Sequence, residues 1–340
     1  MSVDVNVKKK YSDFELDVSF SVTGSRIGIL GASGCGKTLT LRAIAGLMHP
    51  DEGMIRLNER VVFDSSQKIN IKPQKRNIGY LFQEYALFPN MTVKGNIEAG
   101  MLGSSSKDID ELLKKYGLWD VIDHRPDSLS GGQKQRCALL RMLVSDPQLI
   151  LLDEPFSAMD AHLREKMRLE LISILDGYDR TVILVSHDRD EIYQMCDHLV
   201  LMDNGKVIAR GATEDVFKNP GTVAAARLTG CKNISAIVKM GDHNVRALAW
   251  NNIELETADV ITEDITHIGI RAHDFIPQKT GKNAIRCQKT TVSRLPFEWY
   301  VTLDNGLWWK YPRQLGEPYS DSVVPPYISI EPDKIILLSD

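Results

Sequence analysis

Eight consecutive residues, Gly31-Ala32-Ser33-Gly34-Cys35-Gly36-Lys37-Thr38, carry the spacing GxxxxGK[ST], the signature of a backbone that curls around phosphate oxygens. Successive N–H groups and the start of the following helix face the anion, Lys37 reaches the β and γ oxygens, and Thr38 offers a hydroxyl to Mg2+. Farther along, the apolar run Leu149-Ile150-Leu151-Leu152 ends in Asp153-Glu154. Asp153 is predicted to hold the metal, directly or through water, and Glu154 to polarise an attacking water. A third segment, Leu129-Ser130-Gly131-Gly132-Gln133, presents a hydroxyl and backbone donors at a helix start. Taken alone it reads as a Ser-capped helix. In the company of a phosphate loop and a carboxylate pair it reads as a second phosphate clamp.

These side chains need rigid elements behind them. Alternation predicts a strand over Glu15–Phe20 and a short buried one over Arg26–Leu30, after which the phosphate loop opens a helix through Met48 with Leu41, Ile44 and Ala45 on its buried face. The runs Leu149–Leu152 and Thr181–Val185 are short, rich in Leu, Ile and Val, and read as central strands of a sheet with parallel pairing. Between them Leu163, Met167, Leu171, Ile174 and Leu175 recur at helical spacing, with Gly177 as the stop. Strand, helix, strand implies a crossover connection. In LVLMDNGKVIARG, Asn204-Gly205 predicts a type I′ hairpin, and a helix ending near Asn219-Pro220 follows. From about Ile234 the pattern changes to short alternating segments, Val245–Trp250, Ile268–Ala272, Ala284–Thr291 and Trp299–Leu303, which read as a small all-β module.

A chain of 340 residues divides into two folded units, and 43% hydrophobic with 25% charged residues excludes long disorder and fibrous repeats. The net charge of −4 supplies no basic field for nucleic acid. Five cysteines, Cys35, Cys137, Cys196, Cys231 and Cys287, make an odd count without CxxC spacing, against a disulfide framework or a zinc site. Neither a cleavable leader nor an apolar run of about 18 residues is present, so the chain is expected to stay in the cytosol.

Six motifs in fixed order complete the picture: the phosphate loop, Gln83 in LFQE, LSGGQ at 129–133, LILLDEP at 149–155, SAMD at 157–160 and SHD at 186–188. The set resembles the nucleotide-binding subunits of ABC transporters. The resemblance implies an α/β P-loop NTPase fold with a helical subdomain over residues 1–232. It also implies a C-terminal β-rich, OB-like regulatory domain of the TOBE/MOP kind over 233–340. In this family two chains meet head to tail and sandwich two ATP molecules, each between one chain's phosphate loop and the other's Ser130, Gly131, Gly132 and Gln133. The resemblance then makes Glu154 the catalytic base or water-orienting group, puts His187 on the γ-phosphate and Asp160 between the subunits, and has Gln83 touch the metal and the water. Gly31, Ser33, Gly34, Cys35, Gly36, Lys37 and Thr38 cradle phosphate, with Thr38, Gln83 and Asp153 around Mg2+. Phe14, or else Tyr11, stacks on adenine. SAMD stands where SALD is common, and Cys137 and Met142 replace the usual Val and Ala; none of these three changes touches phosphate chemistry.

The family further implies a separate integral-membrane permease, gripped by Glu84-Tyr85-Ala86-Leu87-Phe88-Pro89-Asn90, and an extracytoplasmic substrate-binding protein that delivers the cargo. The chain would sit peripherally on the cytoplasmic face of the membrane. NIGYLFQEYALFPNMTVKGNI and the compact YSDFELDVSFSV are most similar to the molybdate, tungstate and sulfate importers, with sulfate, iron, sugar or polyamine import as the alternatives. A soluble ATPase acting on ribosomes or DNA would need a second ATPase unit or a coiled-coil insertion, and a degenerate anion sensor would lack Lys37, Glu154 or His187. In the tail, Ile268–Asp274 resembles the family's IGIRPED strand; Arg271 or Lys310 could serve an anion, while Trp299, Trp308 and Trp309 read as core.

Overall fold

The computed structural model describes residues 2–101, 108–157, 159–178, 180–277, 281–288, 290–295, 297–312 and 324–340. Ala158 of the SAMD segment and Lys289 of the segment 284–291 lie outside the described residues. The chain divides into two compact units, Met1–Thr213 and Glu214–Asp340.

The first unit is built on one sheet. Its strands are β1 (Ser2–Lys10), β2 (Glu15–Thr23), β3 (Arg26–Gly31), β4 (Glu52–Leu57), β5 (Arg60–Asp64), β6 (Ile69–Asn70), β7 (Ile78–Leu81), β8 (Leu149–Asp153), β9 (Thr181–Ser186), β10 (His198–Asp203) and β11 (Lys206–Ala212). Their spatial order is β6-β5-β4-β1-β2-β11-β10-β3-β9-β8-β7. At one end β6, β5, β4, β1 and β2 pair antiparallel. At the other, β10, β3, β9, β8 and β7 run parallel, which brings the C-terminal ends of β3, β8 and β9 side by side. Loops leaving that edge are where α/β sheets bind ligands. Strands β8 and β9 are buried at every position, as continuous apolar runs require when both faces are covered. In β1, Val3, Val5 and Val7 alternate with polar residues and are fully buried, a strand that the reading from Glu15 onward omits.

The helices of this unit are α1 (Lys37–Ala45), α2 (Val93–Glu98), α3 (Ile109–Lys115), α4 (Gly131–Leu143), α5 (Ala161–Asp176) and α6 (Arg189–Met195). Helix α1 stops three residues short of the predicted Met48 because Gly46 takes φ +78° and turns its N–H back to Ala43 O and Arg42 O. The elements α2, α3 and α4 gather a small core of their own, with Val93, Ile97, Leu113, Leu129 and Leu140 buried together. Asn204 and Gly205 both have positive φ, 44° and 78°, as a type I′ hairpin between β10 and β11 demands.

One buried cation supports α1 from below. Arg76 is 4% exposed. Its guanidinium donates to Ala43 O and Ile44 O at 2.9 and 2.7 Å, to Ile71 O at 2.8 Å and to Asn70 Oδ1 at 3.0 Å. A positive charge on the last carbonyls of a helix complements its dipole. Burial pulls the Arg76 pKa down to about 10, so it stays charged at neutral pH. Arg76→Met removes all of these donations, although Ala43 O keeps the Gly46 N–H, and is expected to cost about 3 kcal/mol. Differential scanning calorimetry should register a lower unfolding midpoint, and an unchanged midpoint would contradict this reading of Arg76.

A short helix, α7 (Thr213–Lys218), follows β11, and the second unit continues with α8 (Val223–Leu228). A five-stranded sheet then has the order β14-β13-β12-β15-β22, from β12 (Asn233–Lys239), β13 (Asn244–Ala247), β14 (Ile253–Glu256), β15 (His267–Ile270) and β22 (Ile335–Leu338). A second small sheet joins β16 (Ile276–Pro277), β17 (Ile285–Arg286) and β21 (Tyr327–Ser329), and a third joins β18 (Thr291–Arg294), β19 (Glu298–Thr302) and β20 (Trp308–Pro312). The expected strand Val245–Trp250 ends at Ala247, and Leu248–Trp250 forms a 3-10 turn before Asn251 and Asn252 enter the left-handed region. Trp299 and Trp309 are core, but Trp308 is 39% exposed, with Lys232 Nζ 4.7 Å from its ring centroid. Arg271 is spent on the backbone, donating to Thr229 O at 2.8 Å and to Phe217 O. Lys310 pairs with Glu298 at 2.6 Å. The two cations singled out for an anion are therefore occupied in holding the unit itself.

Candidate nucleotide site

The phosphate loop leaves the buried end of β3 and enters α1 as the sequence requires. Gly34 and Gly36 have φ of +82° and +103°, values that side chains resist, and a Cβ on Gly36 would meet Leu16 at 2.6 Å and the Phe14 ring at 3.2 Å. Ala32, Ser33 and Gly34 are exposed while Gly31, Cys35, Gly36 and Lys37 are buried, so the loop presents its tip and anchors its base. Lys37 Nζ donates to Gly31 O and Ala32 O at 2.8 and 2.9 Å, which holds the ammonium inside the curl of the loop. Burial pushes the Cys35 thiol up, which disfavours the reactive thiolate.

Two carboxylates at the end of β8 serve different partners. Asp153 accepts from Thr38 Oγ1 and from Tyr80 Oη, both at 2.8 Å. Burial first, and then the Asp153 charge, hold the Tyr80 phenol far above its usual range, so it remains a donor. Glu154 turns the other way, because its φ of +45° lies in the left-handed region, an arrangement costing about 1–3 kcal/mol that persists only when its surroundings enforce it. Glu154 N donates to Val185 O at 3.0 Å, and Ser157 Oγ donates to Glu154 O at 3.0 Å. The turn brings Glu154 Oε1 within 3.8 Å of Lys37 Nζ and Oε2 within 3.2 Å of His187 Nδ1. His187 is half exposed. Behind it, Ser186 Oγ donates to the buried Glu191 at 2.6 Å and accepts from Asp188 N at 2.9 Å, which fixes the bend after β9.

Oxygen donors suited to a small hard cation, the Thr38 hydroxyl and the Asp153 carboxylate, thus lie together beside a backbone cradle for phosphate, so the residues present fit Mg2+ and a nucleotide. A cleft of about 610 Å3 opens beside them, lined by Thr38, Arg42, Gln83, Tyr85, Lys134 and Asp153. Phe14 is half-buried against the core with its ring tip at Gly36 and Gly205, whereas Tyr11 is 39% exposed and 6.4 Å from the Phe14 ring.

Not every predicted residue joins this cluster within one chain. Ser130 and Gln133 form a capping box on α4: Gln133 N donates to Ser130 Oγ at 3.3 Å, and Ser130 N donates to Gln133 Oε1 at 2.9 Å. Ser130 and Gly131 are exposed, and among the described hydrogen bonds none links 129–133 to residues 31–38. Asp160 caps α5 by accepting from Leu163 N at 3.0 Å. The Ser-capped helix is therefore what the string builds locally. Tyr80 is the residue that sequence reasoning misses. It sits in register with Leu151, and this pairing of parallel strands carries its hydroxyl to Asp153.

Comparison with known proteins points to one family. Residues 16–157 match the family model described as ABC transporter. The chain is 34% identical over 306 residues to the Fe(3+) ions import ATP-binding protein FbpC of Haemophilus influenzae, covering 87% of this chain and 86% of that protein. It is 36% identical over 240 residues to the molybdenum import ATP-binding protein ModC of Paramagnetospirillum magneticum, covering 69% and 65%. The sulfate/thiosulfate import ATP-binding protein CysA of Synechocystis sp. is 37% identical over 244 residues, covering 69% and 67%. Among solved structures, the dimeric post-hydrolysis state of an ATP-binding cassette with ADP and phosphate superposes with a TM-score of 0.53 at 27% identity, over 63% of this chain and 99% of that one. With a phosphate loop, paired carboxylates and a histidine in contact at the ends of three parallel strands, and with relatives matched over most of its length, the chain belongs to the ATP-binding subunits of the ABC transporter family.

Proposed function

We propose that the chain is the ATP-hydrolysing subunit of a binding-protein-dependent importer, residues 1–232 forming the ATPase domain and 233–340 an OB-like regulatory domain. The observation that carries the catalytic half is the contact of Glu154 with both Lys37 and His187, next to Asp153 on Thr38. Residues 31–38 hold the phosphates, with Lys37 on the β and γ oxygens. Thr38 and Asp153, with Gln83 across the cleft, hold Mg2+, which when bound neutralises phosphate charge. Glu154 takes the proton of the attacking water, and His187, hydrogen-bonded to Glu154, orients it toward the γ-phosphate. Phe14 stacks on adenine. Ser130, Gly131, Gly132 and Gln133 of a second copy close the site, with Asp160 at the subunit junction. The dimeric neighbour supports this arrangement, as does a clamp segment whose described hydrogen bonds include none to its own phosphate loop.

No described helix is long and apolar enough to cross a membrane. The import ATP-binding relatives support a separate permease that carries the cargo, with this chain peripheral on the cytoplasmic face. Residues 84–90, with Phe88 45% exposed, supply its docking surface. The cargo reading is an oxyanion, molybdate first, supported by the molybdenum and sulfate relatives. A ferric-ion reading is favoured by one observation: the match to the Fe(3+) relative extends over 306 residues and so into the second unit. Reconstitution with the genomically adjacent permease and binding protein separates them. ATPase stimulation by molybdate or tungstate alone establishes the oxyanion, stimulation by ferric ion alone establishes the second reading, and no association with a permease overturns both.

A further inference from the structure

The loop after Gln83 is held in a conformation its sequence does not favour. Tyr85 and Ala86, neither of them glycine, have φ of +61° and +45°. Adjacent residues in this region persist only where the surroundings over-determine them. One side chain from α4 grips both carbonyls: Arg141 Nη2 donates to Tyr85 O at 3.0 Å and Nη1 to Ala86 O at 2.8 Å, while its guanidinium stacks 5.0 Å from the Phe88 ring centroid. Asn96 fixes the far side, accepting from Phe88 N at 2.8 Å and donating to Phe88 O at 3.1 Å. The other face of the loop looks to the catalytic strand. Buried Tyr85 donates through its hydroxyl to Pro155 O at 3.4 Å, and Gln135, also on α4, donates to the same carbonyl at 3.2 Å. Pro155 follows Glu154 directly.

Helix α4, capped by Ser130, carries Gln135 and Arg141 on one rigid rod of 13 residues. The geometry points to Arg141 as a positioning residue that couples the loop 83–91 to the Ser130–Gln133 clamp, so that closure of the clamp on a partner's ATP changes the loop and a partner pressing on the loop changes the clamp. The reciprocity is thermodynamic: if one site biases the two-state element, the other does by the same factor. The fork geometry matters, since two carbonyls are held at once by a planar guanidinium, which an ammonium cannot reproduce. This inference rests on the proposed closure of the site by a second copy.

Hydrogen exchange tests it without a permease. The Glu154→Gln chain is compared with and without ATP and Mg2+, alone and combined with Arg141→Met or Arg141→Lys. In E154Q, ATP is expected to slow exchange at the amides of Gly131–Gln133 and to change exchange at residues 85–91 by about tenfold. With R141M added, the ratio of rates with and without ATP at 85–91 should fall to within about twofold of unity while the change at Lys37 and Thr38 persists. A purely local role for Arg141 would speed both rates equally and leave that ratio untouched, and this result would overturn the inference. Protection along β8 reports folding. If R141M loses it, R141K is read instead and is expected to keep less than about a third of the ratio; a full ratio overturns the inference. Absence of any ATP effect at Gly131–Gln133 in E154Q overturns the clamp reading and this inference with it, whereas an effect there without one at 85–91 overturns this inference alone.

Discussion

Glu154→Gln is expected to lower ATP turnover by about 10²–10⁴-fold, the range a positioned general base contributes, with nucleotide binding retained. The amide has the shape of the carboxylate but cannot take a proton from water, and it gives up the 3.8 Å ionic contact with Lys37. Binding is spared because the groups that hold phosphate and metal, the 31–38 backbone, Lys37, Thr38 and Asp153, keep their own bonds. The strained φ of +45° belongs to the backbone and is maintained by Val185 and Ser157, so the amide inherits the same direction. Steady-state phosphate release with a parallel nucleotide-binding titration checks this. Turnover within tenfold of the unmodified protein, at saturating ATP, would remove Glu154 from its role.

Ser130→Arg carries the second large effect, for a different reason. Ser130 lies exposed, and its contacts within the chain are those of a helix cap. Loss of the cap costs about 1 kcal/mol, too little to unfold a domain of ordinary stability. A bulky cation there nevertheless removes a donor from the proposed phosphate clamp and obstructs the approach of a second chain. Turnover is expected to fall by about 10²–10³-fold, as on removal of a preorganised donor, while binding at the phosphate loop continues. Measured turnover equal to that of the unmodified protein would show that Ser130 is a cap and nothing more.

The parts of the site legible in the sequence are those that a single local segment encodes. The phosphate loop announces itself through glycines that must take positive φ, and the Asn204-Gly205 hairpin does so by the same physics. Strands β8 and β9 could be read because burial on both faces demands unbroken apolar runs. Separate roles for Lys37, Glu154 and His187 around the γ-phosphate were implied by family resemblance, yet their mutual contacts, and the left-handed Glu154 before Pro155 that creates them, have no local signal. Tyr80 and Asp153 are 73 positions apart and meet only through the register of β7 on β8. Arg141 was equally hidden, since its partners are carbonyls of a loop whose backbone strain no composition reveals. In the second unit the strand pattern was visible but its ends were not, because Asn251 and Asn252 terminate β13's neighbourhood by backbone conformation. Arg271, read for a possible anion, proved to hold backbone carbonyls, which sequence alone cannot distinguish from a solvated cation.

In the proposed cycle ATP joins two copies of this chain by completing each site across the junction. Analytical ultracentrifugation of the Glu154→Gln protein, with and without ATP and Mg2+, addresses it most directly. ATP is expected to drive formation of a species of twice the 38.2 kDa chain mass carrying two nucleotides, and adding Ser130→Arg is expected to abolish this ATP-driven step. A Glu154→Gln chain that binds ATP at its phosphate loop with no change in its association state would contradict it.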